Sequence, residues 1–155
     1  WRSLARDYPA SSRAREGLGE ALFRERDYPG ALREFLEALR LKEERRDPFF
    51  LYAAGISRPG FVGEQAGLYR WIALASLKLG RLAPAELASR KAVALAPEAV
   101  FPHMLMGYHL AAAGRPAEAR AWVEEGLRRE PGNAFLLRLA ADLERGKPSF
   151  AASFD

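Results

Sequence analysis

His103 and His109 are the only imidazoles in the chain, so metal or acid–base chemistry would start from them. Six residues apart on a helix, they point about 120° away from each other. A shared metal would therefore need ligands from elsewhere, and local packing or capping is the expected role of both. Cysteine is absent, which excludes a disulfide framework and thiolate zinc sites. Threonine is absent as well, and the serines stand mostly near helix ends or in loops. No HExxH, Walker-type phosphate loop or GxSxG pattern occurs. The carboxylates alternate with arginines along polar faces, as solvated ion pairs do and acid/base couples do not. The expectation is a non-enzyme with no metal and no cofactor.

Charge carries more information. Between Gln65 and Pro97 lie Arg70, Lys78, Arg81, Arg90 and Lys91, against Glu86 alone. That segment holds the whole net charge of +4. It reads either as an ordinary solvated face or as a patch that steers an acidic protein partner. Nucleic acid is the weaker candidate, because dispersed charges without interleaved aromatics leave a faint footprint.

The elements that would position these side chains repeat. Gly80 and Gly114 are 34 residues apart, and so are Ala85 and Ala119, and Pro97 and Pro131. A fixed period of this size means stacked helical hairpins, each too small to bury its own apolar face. Gly19 and Gly107 are separated by two such periods plus 20 residues, and Ala31 and Ala85 by one period plus the same 20. Both markers place an insertion between the first and second hairpins.

The expected domain covers 1–146. It comprises a hairpin over 10–46, an insertion over 47–63, hairpins over 64–97 and 98–131, and a capping helix over 133–145. A flexible tail over 147–155 follows. Asp27 and Asn133 are candidate helix caps. Pro48, Gly55, Pro59, Gly60 and Gly63 predict one short helical turn and then a loop in the insertion. Its Phe49, Phe50, Tyr52 and Phe61 are expected to dock onto the stack, with a dimer contact or second partner site as the alternative. Helices of about 14 residues are marginal alone in water, so their order must come from packing between hairpins.

With Met106-Gly107, Gly114, Ala119, Leu127 and Pro131 in place, Glu98–Pro131 resembles a tetratricopeptide repeat. The hairpin of Gly19, Tyr28, Ala31, Phe35 and Ala38 is similar, and so is that of Tyr69, Ala73, Gly80, Ala85 and Ala92. Trp1–Pro9 resembles the close of a preceding unit. His103 and Arg15 depart from the pattern, standing where the family usually has a large aromatic. The resemblance implies an all-α, right-handed solenoid of helix-turn-helix hairpins with a C-terminal capping helix. It also implies a non-catalytic scaffold that binds a protein or peptide in a concave groove lined by each hairpin's first helix.

Carried onto this chain, that groove selects Arg70, Leu74, Leu77, Lys78, Phe101, Met104, Leu105, Tyr108 and Phe135 as partner-binding residues. Arg13, Glu16, Glu20, Phe23 and Arg24 would line its first unit. The clamp with which some family members grip a chaperone's terminal carboxylate needs Lys, Arg and Asn. The matching places here hold Glu16, Glu20, Trp71, Phe101 and Leu105, so chaperone-tail binding is not expected.

The alternative reading is a helical subunit of a larger bacterial envelope, pilus or secretion assembly, with nucleic-acid binding a weaker third. A cytoplasmic location is expected, or a periplasmic or envelope one if a signal has been removed upstream of Trp1. Self-association stays open. Scarcity of the thermolabile Asn, Gln and Met and the absence of Cys point to a thermophilic source or, equally, to a GC-rich genome that also favours Arg over Lys.

Overall fold

The structure is a computed structural model describing residues 1–44 and 59–146. The described residues form eight helices and no strand. In chain order they are α1 (Arg2–Asp7), α2 (Ser12–Arg24), α3 (Tyr28–Glu43), α4 (Pro59–Lys78), α5 (Leu82–Leu95), α6 (Val100–Ala112), α7 (Pro116–Arg129) and α8 (Ala134–Glu144). They pack as the hairpins α2–α3, α4–α5 and α6–α7. Each second helix leans on the first helix of the next hairpin, and α8 closes the stack against α7 and α6. The architecture is an all-α solenoid.

Local chemistry sets the helix ends. The Asp27 carboxylate accepts the Gly30 N–H at 2.9 Å, and the Asn133 amide oxygen accepts the Leu136 N–H at 3.1 Å. Each side chain satisfies a donor that has no intrahelical partner. The hairpin turns share one hydrogen-bond pattern. Gly114 N–H donates to Ala111 and Arg115 N–H to Leu110, and Gly80 and Arg81 do the same to Leu77 and Ser76. This is the Schellman ending, which requires a left-handed residue after the helix. Gly80 (φ 69°) and Gly114 (φ 72°) supply it.

In the first hairpin the same pattern runs from Arg26 to Phe23 and from Asp27 to Leu22. There the left-handed place is taken by Arg26, at φ 65°. A side chain at such a φ costs roughly 1–2 kcal/mol, part of which glycine returns as unfolded-state entropy. Arg26→Gly is therefore expected to stabilise the protein by about 0.5–1 kcal/mol in urea unfolding. An unchanged or lowered midpoint would mean that the backbone there carries no strain.

Helix crossings are close where the repeat places small residues. A Cβ on Gly107 would stand 2.7 Å from Val123 Cγ2, and one on Gly19 would stand 2.6 Å from Phe35 Cε1. At the equivalent place in the middle hairpin Ala73 is fully buried. The two departures from the aromatic pattern are also accounted for. Arg15 forms an ion pair with Glu34 at 2.9 Å, tying α2 to α3. His103 is buried, its Nδ1 2.8 Å from the Ala99 carbonyl and its ring 5.5 Å from that of Trp122. Trp1 lies over Gly17, holding the start of α1 against α2.

One boundary differs from expectation. Residues 59–63, read as loop from their Pro and Gly content, are helical, and α4 has 20 residues against 13 for α2 and for α6. Pro59 is the first residue of α4, and a proline in the first turn sacrifices no intrahelical hydrogen bond. The other expectations for the insertion, including Phe49, Phe50, Tyr52 and the Phe61 side chain, lie outside the described residues. So does the tail over 147–155.

Candidate partner-binding face

The first helices α2, α4 and α6, followed by α8, meet one another through a line of aromatic and sulfur-bearing side chains. Phe23 on α2 meets Trp71 on α4 edge-on at 5.4 Å, and Trp71 also stacks on Phe35 of α3 at 5.5 Å with an interplanar angle of 11°. From α4, the Arg70 guanidinium carbon stands 5.2 Å from the Trp71 ring centre and 5.1 Å from that of Phe101 on α6. Tyr108 on α6 faces Phe135 on α8 at 6.4 Å, and Met104 Sδ lies 3.7 Å from the Asn133 amide nitrogen. Phe23, Arg70, Trp71, Phe101, Met104, Tyr108 and Phe135 are all half-buried. Each rests on the core and keeps part of its surface in water.

Leu77 and Lys78 are half-buried as well, but two of the sequence-selected partner residues are turned inward. Leu105 is 0% exposed and Leu74 7%; both belong to one core cluster, in which Leu105 of α6 joins side chains of the first two hairpins. A middle helix of the stack contacts its own hairpin partner, the preceding second helix and the neighbouring first helix. Its apolar positions are thus covered on three sides, and position in the repeat alone does not say which remain open. Trp71 is the residue that sequence reasoning left out of the face.

Electrostatics divide the face. At the α2 end, the Lys42 ammonium lies 3.6 Å from Glu16 and 3.1 Å from Glu64. Burial raises the Glu16 carboxyl above its usual range, with Lys42 opposing the shift. The basic residues of the middle unit do not share one element: Arg70 and Lys78 are on α4, and Arg90 and Lys91 on α5. Arg90 is paired with Glu86 at 2.7 Å, and Arg115 reaches the same carboxylate at 2.7 Å. The two guanidiniums hold Glu86 below the ordinary carboxylate range.

No reactive pairing is assembled among the described residues. Ser76, Ser89 and His109 are buried, yet none of their polar side-chain atoms has a hydrogen-bond partner there. No group of three or more His, Asp or Glu side chains among the described residues could hold a metal. No described helix is long and apolar enough to cross a membrane.

No protein-family model matches the sequence, and neither does any curated protein. Solved structures do match. The TPR domain of OM64 from Arabidopsis aligns at TM-score 0.71 and 21% identity, over 87% of this chain and 95% of that one. The first TPR of Spaghetti (RPAP3), bound to the HSP90 peptide SRMEEVD, aligns at 0.69 and 20%, over 87% and 91%. The APC/C hetero-tetramer Cut9–Hcn1 aligns at 0.76 and 17%, over 90% of this chain and 25% of that one. The repeated hairpins, their shared turn and the small residues at their crossings thus have a common explanation: this chain has the tetratricopeptide-repeat fold.

Proposed function

We propose that the protein is a non-catalytic interaction module that takes a protein or peptide segment along the face made by α2, α4, α6 and α8. The observation that carries this reading is the continuous line of half-buried aromatic side chains from Phe23 to Phe135, with Arg70 among them. Such side chains present large, ordered contact area without unfolding anything, which is how anchoring positions at interfaces work. The peptide bound by the similar RPAP3 domain supports a peptide ligand class. It does not extend to the same ligand. The chaperone-clamp places hold Glu16, Glu20, Trp71, Phe101 and Leu105 in this chain, so the segment recognised is not a terminal carboxylate tail of that kind.

The test is selection of linear peptides from a random phage-displayed library against the full chain, followed by affinity measurement with Tyr108→Ala. Truncating Tyr108 removes a half-buried anchor at the α6–α8 junction. It is expected to weaken selected peptides by about tenfold or more, the usual scale for an interface anchor, while circular dichroism remains helical. Peptides that bind Tyr108→Ala and Phe101→Ala as tightly as the parent would refute this reading.

A further inference from the structure

Arginines in this protein are generally given partners. Arg2, Arg15, Arg24, Arg40, Arg90, Arg115, Arg128, Arg129 and Arg145 each hold a carboxylate, and Arg120 donates to the Leu143 carbonyl. Arg6, Arg13, Arg33, Arg81 and Arg138 are exposed and can be satisfied by water. Arg70 belongs to neither group. It is half-buried, its Nε is sealed from water with no hydrogen-bond partner, and its charge rests against the Trp71 and Phe101 rings. The two Nη atoms are not among the buried polar atoms left without a partner. Beyond the sealed Nε, the far end of the guanidinium carries a parallel pair of N–H donors, and the two rings fix its plane.

From this geometry we infer that Arg70 is the receptor for an aspartate or glutamate side chain inside the bound segment, gripped end-on through Nη1 and Nη2. The inference rests on the binding face proposed above and names the chemistry of its partner. Charge complementarity argues for this occupant. A guanidinium already stripped of part of its water and held flat loses little freedom on accepting a carboxylate, and a bidentate pair recovers what desolvation cost. Cation–π contact leaves the positive edge free while orienting it. An internal carboxylate fits a single guanidinium better than a chain terminus does. A terminal carboxylate would need further donors, and the neighbouring places Trp71 and Leu105 provide none.

The experiment uses the peptides selected from the phage library, synthesised with acetylated and amidated ends and measured by fluorescence anisotropy against the full chain. Enriched peptides are expected to share one Asp or Glu, and changing it to Asn or Gln should weaken binding at least tenfold. Arg70→Gln should lose the same factor and show no additional loss against the neutral peptide. Arg70→Lys, which keeps the charge but not the planar fork, should fall between them. Selected peptides without a shared acid overturn the inference, as does amide capping that abolishes binding, or Arg70→Gln that binds as the parent does. If in any of these cases Tyr108→Ala still weakens the peptides, the binding face stands and only the role of Arg70 falls. A library yielding no binder overturns both.

Discussion

Gly107→Leu is expected to cost about 1–3 kcal/mol of folding stability, the range for overpacking a close-packed crossing. The position lies inside α6, facing α7, and even the first added carbon would meet Val123 Cγ2 at 2.7 Å and Leu139 Cδ2 at 3.3 Å. Val123 is 1% exposed and β-branched, so it has neither space nor rotamers with which to yield. Helix propensity pulls the other way, since leucine gains close to 1 kcal/mol over glycine in a helix interior; the crossing must outweigh it. Gly67, inside α4, is the control, because a Cβ there meets nothing within 4 Å. Gly67→Ala is expected to stabilise by about 0.5–1 kcal/mol. Urea unfolding of both variants reads the two signs, and a Gly107→Leu protein as stable as the parent would show that α6 and α7 do not cross there.

Acid should weaken the fold well before the carboxylates titrate. His109 is 1% exposed and neither ring nitrogen is hydrogen-bonded among the described residues. Burial holds its pKa down to about 4. The Glu86 charge pulls it upward, while Arg90 and Arg115 add to the depression. The unfolded chain takes up the proton near pH 6.5 and the folded one only near 4. Stability is therefore fully present above about pH 6.5 and is lost as pH falls from there towards the folded value. By pH 5 the loss from this one group is about 2 kcal/mol. Glu37, Glu86, Glu118 and Glu125 are held below their ordinary range and add to the loss only at lower pH. Glu16, raised by burial, contributes the opposite sign. Denaturant melts at pH 7.5 and pH 5 should show the drop in the parent. His109→Leu should flatten it and be at least as stable at pH 7.5, since it removes two unsatisfied nitrogens. An equal slope in both proteins would place the acid sensitivity elsewhere.

Much of the fold was legible because repetition amplifies weak local signals. Gly80 and Gly114 mark the same turn one period apart, and Asp27 and Asn133 act through their own side chains within three residues. Even Arg26 was in register, 54 residues before Gly80, although its left-handed backbone could not be inferred from an arginine. The start of α4 misled because Pro59, Gly60 and Gly63 usually punctuate, whereas a proline at a helix start is harmless and tertiary contact can carry glycines within a helix.

The proposed binding face divides along the same line. Residue order alone settled the hairpin stack and the placing of small side chains at crossings. These follow from spacing and residue type, which act over a turn or a period. Only the assembled tertiary structure decided that Leu74 and Leu105 face inward, that Trp71 joins Phe23 to Arg70, and that Arg70 alone among half-buried arginines of the described residues holds no carboxylate. Exposure and ion pairing depend on which neighbours three different helices bring to one side chain, and that is a property of packing rather than of sequence position.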